Sequence, residues 1–272
     1  MLACKVGSDT VVFQLLHRGA SNLDAKDVEG KTSLLYATER DKHNIVTHLL
    51  ARGADPKLTD GTGATPLIVA SKHGFANVVR VLIKKDLALI NHADRNGATA
   101  LWYACHFGNE AVVELLLQAK ARPNAVDTQH KTPLITAAEQ MHTECRALLL
   151  EHPYIVLDAV DREGKTALRY AGETNNLDLV QLLLNKDANP NSRTTIDHTT
   201  TLMAASSHGH LRVVDALLND PDIRVDALVR LDAVAQPQTV DVTALAWIAL
   251  AHGQERQEAD VEAPGRKLAP LL

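Results

Sequence analysis

Residues 65–74 read TPLIVASKHG and residues 76–83 read ANVVRVLI, and the fold follows from how these two blocks recur. Thr65 has counterparts at Thr32, Thr99, Thr132, Thr166 and Thr200, spaced 33 or 34 residues apart. Each is followed two positions later by leucine (Leu34, Leu67, Leu101, Leu134, Leu168, Leu202) and five positions later by alanine (Ala37, Ala70, Ala104, Ala137, Ala171, Ala205). A Thr-x-Leu-x-x-Ala pattern in register six times, each copy leading to a second apolar block such as NIVTHLL, AVVELLL or DLVQLLL, defines a unit of two short helices. The threonine hydroxyl accepts from backbone N–H groups left free in the first turn, and Pro66 and Pro133 are preset for that turn. Gly74, Gly108 and Gly209 end the first helix.

Composition narrows the function classes. The 272 residues are 46% hydrophobic and 22% charged, with a formal net charge of -5. That length would suit about two ordinary domains. Without a basic field to gather phosphates, nucleic acid is not an expected partner. The opening MLACKVGSDT has no apolar segment of the secretory kind, and no apolar run approaches the roughly 18 residues that cross a bilayer. Neither secretion nor membrane insertion is expected. Cys4, Cys105 and Cys145 are odd in number and unrelated in spacing, and no Asn-x-Ser/Thr sequon occurs. These features fit a reducing interior, cytoplasmic or nuclear.

The six hexapeptides TSLLYA, TPLIVA, TALWYA, TPLITA, TALRYA and TTLMAA resemble the Thr-Pro-Leu-His-x-Ala signature of the ankyrin-repeat family. The tails RGADPKL, ARPNAVD and DANPNSR agree with it. The resemblance covers about residues 1–253 and implies an all-α solenoid of helix-turn-helix units joined by β-hairpin-like loops. Its expected divisions are a partial repeat over 1–26, repeats over 27–59, 60–93, 94–126, 127–160, 161–193 and 194–227, and a degenerate one over 228–253. Residues 254–272, with two prolines and no apolar period, read as a disordered tail. One departure is consistent: Leu35, Ile68, Trp102, Ile135, Arg169 and Met203 stand where the signature has histidine. Inter-repeat order that the family draws from that histidine is then expected from apolar packing. The resemblance also implies asparaginyl hydroxylation at Asn91, Asn124 and Asn191, which match the family's hairpin asparagine.

No residue constellation carries catalysis. The thirteen histidines lack cysteine partners at zinc-ligand spacing, so neither metal nor cofactor is expected. Cys105 beside His106 has the look of a nucleophile pair, but it occupies a small-residue position filled elsewhere by Ser71, Ala138 and Ser206, and a buried structural thiol is the better reading. Gly61 and Gly63 precede Pro66 without a phosphate-loop lysine. Asp27, Asp60, Asp94, Asp127 and Asp161 form a column, yet successive repeats lie about 10 Å apart. The column therefore orders turns rather than pairing carboxylates for acid-base work.

A partner surface is located from helical geometry. With leucine and alanine inward, the residue before each alanine and the residue four later form two columns. The first reads Tyr36, Val69, Tyr103, Thr136, Tyr170 and Ala204, and the second Arg40, His73, Phe107, Gln140, Thr174 and His208. The family resemblance places both on the concave face used for partners, together with hairpin tips carrying Glu29, Lys31, Arg95 and Arg162. Rigid aromatics favour contact, which makes Tyr36, Tyr103, Phe107 and Tyr170 the leading anchors. The competing reading has the tyrosines padding the groove between repeats, half buried, with hydroxyls in water. The expectation is a monomeric, non-enzymatic scaffold binding another protein or peptide, or else the regulatory part of a larger enzyme.

Overall fold

The computed structural model describes residues 1–19 and 22–224. Two compact units divide them, Met1–Ala167 and the residues from Leu168 onward. Helix pairs build the first unit: α1 (Leu2–Val6) with α2 (Asp9–His17), α3 (Ser33–Glu39) with α4 (His43–Ala51), α5 (Pro66–His73) with α6 (Ala76–Lys85), α7 (Ala100–His106) with α8 (Glu110–Gln118), and α9 (Pro133–Glu139) with α10 (Thr143–Leu150). The second contains α11 (Ala167–Glu173) from Leu168 onward, α12 (Leu177–Leu184), α13 (Thr201–Ser207) and α14 (Leu211–Leu218). The degenerate repeat expected over 228–253 and the tail over 254–272 lie outside the described residues.

The helices start where the threonines stand. Thr32, Thr65, Thr99 and Thr132 each accept from the backbone amide three residues on, at 3.2–3.3 Å, and Thr200 does so at 3.4 Å. In the first unit α1, α3, α5, α7 and α9 pack in succession, and α2, α4, α6, α8 and α10 form a second layer behind them. Leu34, Leu67, Leu101 and Leu134 are at most 1% exposed, and Ala37, Ala70, Ala104 and Ala137 are fully buried. The leucines fill the space between layers, and the alanines admit neighbouring backbones. In the second unit α14 packs on α12 and α13. There a Cβ added at Gly172 would come within 2.6 Å of Thr201 Cγ2, so α11 and α13 also approach closely.

The aspartate column clamps the turns between repeats. Asp27 Oδ1 accepts from the amides of Glu29 and Lys31, both at 2.9 Å, and Asp60, Asp94, Asp127 and Asp161 repeat this with the residues two and four positions on. Successive tips join through Gly61 N–H to Glu29 O, Arg95 N–H to Thr62 O, Thr128 N–H to Asn96 O and Arg162 N–H to Gln129 O, at 2.7–3.1 Å. Gly97 shows why small residues sit here: its φ is 75°, and an added Cβ would lie 3.1 Å from Thr128 N. In the last described hairpin Thr194 replaces the aspartate, and its Oγ1 accepts from Thr199 N–H at 3.0 Å.

Leu35, Ile68, Ile135 and Met203, at the signature-histidine position, are buried, which puts apolar packing there. Arg169 at the same position instead reaches forward polarly. Its guanidinium donates to Thr200 O and to Glu173 Oε1, the latter at 2.8 Å.

Candidate interaction site

The first predicted column turns out to face inward. Tyr36 is 4%, Val69 7% and Tyr170 8% exposed, and Thr136 and Ala204 are buried as well. This corrects the expectation that the position before the alanine points outward. The position falls in the seam between consecutive first helices: the Lys5 ammonium of α1 lies 5.2 Å from the Tyr36 ring, and that of Lys72 on α5 lies 5.9 Å from Tyr103, so in both the preceding repeat stands against it. Nor do the hydroxyls of Tyr36 and Tyr103 reach for water. Tyr36 Oη donates to Asp27 Oδ2, and Tyr103 Oη donates to Asp94 Oδ2 at 2.7 Å. Each tyrosine thus ties its helix to the hairpin nine residues earlier. Burial, and then the Asp94 hydrogen bond, push the Tyr103 hydroxyl up to about 12, because ionisation would place a second negative charge beside the carboxylate.

The second column is on the surface. Arg40, His73, Phe107, Gln140 and His208 are exposed, while Thr174 is half-buried and donates to Tyr170 O at 2.8 Å. Phe107 is the strongest feature among them, an aromatic 45% exposed at the end of α7. Its ring stacks on Tyr103 with centroids 6.5 Å apart, and His106 meets it edge-on at 4.7 Å. Trp102 in turn stacks on His106 at 5.0 Å. Lys72 of α5 holds its ammonium 5.8 Å from the Phe107 ring and 5.9 Å from Tyr103. Met141, just after α9, is 53% exposed. One helix of the first unit therefore carries four contiguous rings, half-buried at one end and open at Phe107, with a cation above them. Such an arrangement offers an apolar and cation–π contact at small entropic cost.

The hairpin tips form a rim. Lys31 is held between Glu29 and Glu39 at 3.0 and 2.8 Å, and the Glu39 contact leads in raising its pKa. Lys131 pairs with Glu139 at 2.6 Å. Arg95 and Arg162 present exposed side chains. The asparagines matched to the hydroxylation position are occupied in holding loops together. Asn91 Oδ1 accepts from Arg122 N–H at 2.8 Å. Asn124 donates to Tyr154 O at 2.7 Å and accepts from Val156 N–H at 3.0 Å, and Asn191 donates to Asp222 O and accepts from Arg224 N–H, both at 2.8 Å.

Sequence reasoning missed one set of polar links. Asn109 Nδ2 donates to Ser71 O at 2.8 Å and Lys72 O at 3.0 Å, His142 Nε2 to His106 O at 3.0 Å, and His210 Nδ1 to Gly172 O at 2.8 Å. All three precede a second helix and reach back 36 to 38 residues to the end of a first helix, whose last carbonyls need donors. Their recurrence at one repeat position was the available signal.

Among the described residues no group of three or more His, Cys, Asp or Glu is placed to hold a metal, and no helix is long and apolar enough to cross a membrane. Cys4, Cys105 and Cys145 are unpaired and buried, and burial pushes the Cys105 thiol well up, away from nucleophilic use. In the second unit a groove of about 480 Å³ runs between α12 and α14, lined by Gln181, Leu184, Arg212, Asp215 and Ala216 among others. It lies outside both predicted columns.

Comparison with known proteins agrees with the repeat geometry. Residues 1–87, 34–127, 119–194 and 157–228 match the family model for ankyrin repeats in three copies. The chain is 32% identical over 142 residues to the tyrosine-protein kinase Shark of Drosophila melanogaster, covering 52% of this chain and 15% of that protein. It is 28% identical over 173 residues to the human transient receptor potential cation channel subfamily A member 1, covering 61% of this chain and 16% of that one. The chain thus spans less than a fifth of each of these relatives. Among solved structures the ankyrin repeat domain of Bcl-3 superposes with a TM-score of 0.68 at 28% identity, over 80% of this chain and 96% of that domain. With its helix pairs, clamped turns and matched repeats, this chain is an all-α repeat solenoid that belongs to the ankyrin-repeat family.

Proposed function

We propose that the chain is a non-enzymatic interaction scaffold that holds a partner protein or peptide on the layer of first helices and hairpin tips. The observation that carries this reading is the α7 ring cluster, open to solvent at Phe107 beneath the Lys72 ammonium. Around it lie Arg40, His73, Gln140 and Met141, with Glu29, Lys31, Arg95 and Arg162 on the rim, so an apolar centre is bordered by polar groups as in protein interfaces. Buried tyrosines serve as supports behind this surface rather than as anchors. Three unpaired cysteines among the described residues support work in a reducing compartment, the cytoplasm or nucleus.

Photo-crosslinking tests this placement. A photoreactive residue at position 107 captures a specific partner from the chain's native cell, and one at Glu114, exposed on α8, does not. Capture at 114 with none at 107 would move the interface to the second-helix layer.

A second reading has a specific observation behind it: relatives that include a kinase and a channel are several times longer than this chain. On that reading the repeats are the regulatory or targeting part of a larger assembly. The length of the full transcript separates the two. Hydroxylation of Asn91, Asn124 or Asn191 would require an enzyme to free carboxamides now bonded to the next loop, and intact-mass measurement on native protein checks it.

A further inference from the structure

The first-helix layer of the first unit carries charge that it does not itself balance. Its helices hold two carboxylates, Glu39 on α3 and Glu139 on α9, and a hairpin lysine takes each, Lys31 at 2.8 Å and Lys131 at 2.6 Å. Asp60 and Asp94 of the adjoining hairpins direct Oδ1 to turn amides, and Asp94 Oδ2 accepts from Tyr103. Arg40 and Lys72 are exposed and form no ion pair among the described residues, not even with Asp41 beside Arg40. On a chain of net charge -5, two cations thus stand unanswered at this surface. The helices α3, α5, α7 and α9 pack in succession, and Arg40, His73, Phe107 and Gln140 hold one repeat position, with Lys72 before His73 and Met141 after Gln140. The row therefore runs from Arg40 through Lys72 to Phe107 and Met141, the last two 45% and 53% exposed, in steps of about 10 Å. One end of it is basic and the other apolar.

We propose that the partner lays along this row a polyproline II segment with acidic residues at one end and apolar residues at the other, each at every third position. The proposal rests on the reading of the first-helix layer as the interface and adds the chemistry of what that layer takes. A polyproline II helix has three residues per turn and advances about 9 Å in them, so every third side chain falls on the next repeat. One carboxylate then meets Arg40, the next meets Lys72, and apolar side chains reach Phe107 and Met141. The carboxylate at Lys72 supplies the anion that this ammonium lacks in its place over the Phe107 and Tyr103 rings. Such a segment is preformed, which keeps its ordering cost small against an aromatic surface. A basic segment meets the same two cations as repulsion.

Fluorescence anisotropy with the full chain tests it. The probe is a fluorescein-labelled decapeptide with glutamate first and fourth, leucine seventh and tenth, and proline between. It binds about tenfold more tightly than the same peptide with lysine for glutamate, and more tightly than a shuffled version. Arg40→Glu with Lys72→Glu reverses the order, so that the lysine peptide binds better, and this gain shows that the two exposed changes leave the chain folded. Phe107→Ala weakens the glutamate peptide. No binding of the glutamate peptide, equal binding of the lysine or shuffled peptide, or a preference that survives the charge reversal would overturn the proposal. Binding lost in Phe107→Ala but unchanged by the charge reversal overturns the acidic pattern alone. A photoreactive residue at 107 that captures no partner removes the interface reading beneath it.

Discussion

The Tyr103 hydroxyl donates to Asp94 Oδ2 at 2.7 Å, while Oδ1 of the same carboxylate accepts from the amides of Asn96 and Ala98 at 2.9 and 3.0 Å. One side chain thus closes the hairpin and fixes the helix behind it. Tyr103→Phe removes the phenolic donor and leaves a largely buried carboxylate oxygen without it. The expected cost is about 2 kcal/mol of unfolding free energy by urea titration, since the bond is to a charged acceptor. A cost below about 0.5 kcal/mol would show that solvent replaces the bond. The same pair sets an alkaline limit. In the unfolded chain Tyr103 ionises near its ordinary value of about 10, but in the fold only near about 12. Stability from this group is full below pH 10 and falls as pH rises from 10 towards 12. In Tyr103→Phe that slope flattens.

Phe107→Ala and Tyr103→Ala separate binding from support. Phe107 is 45% exposed, so its loss should change unfolding stability by no more than about 1 kcal/mol while weakening partner binding by about 2 to 4 kcal/mol if it is an anchor. Tyr103→Ala does the reverse, lowering stability first. Titration calorimetry against the captured partner, with a parallel urea melt, reads both. Undiminished binding in Phe107→Ala would remove it from the interface.

Gly108 has a φ of 71°, and an added Cβ would lie 2.5 Å from His142 Nδ1. His142 cannot simply swing away, because its Nε2 donates to His106 O. Gly108→Ala therefore combines backbone strain with the loss of a link between repeats. A destabilisation of about 1 to 3 kcal/mol is expected. Gly53→Ala is the comparison, with a φ of 94° and nothing within 4 Å of the added atom, so it isolates the backbone share. Equal effects in the two variants would show that the His142 contact contributes nothing.

His106 gives the fold an acid sensitivity. Burial against Trp102 lowers its pKa below the ordinary value, outweighing the pull of Glu139, and His142, Lys131 and Lys72 push the same way as burial. Protons then bind the unfolded chain first. The stability from this group is present above about pH 6.5 and is lost as pH falls from there through the lower folded value. Urea midpoints at pH 7.5 and pH 5.5 should differ more in wild type than in His106→Gln. An equal difference in both would assign the acid effect elsewhere.

The sequence by itself determined the repeat register, the helix starts and the leucine and alanine core. These follow from contacts within one repeat: Thr65 caps a helix whose Leu67 and Ala70 lie within two turns of it, and Asp60 clamps amides two and four residues on. It read the outward column correctly at Phe107 but failed at Tyr36, Val69 and Tyr170, because one helix considered alone looks open on a side that a neighbouring repeat, some 33 residues away in sequence, covers. Tertiary structure also decided that Asn109, His142 and His210 cap carbonyls 36 to 38 residues back, and that Val11 and Leu15 stand uncovered where Ile45 and Leu49 are sealed. Periodicity assigns each repeat the same face. Whether that face is buried depends on which neighbour lies against it, and that is a property of the packed chain.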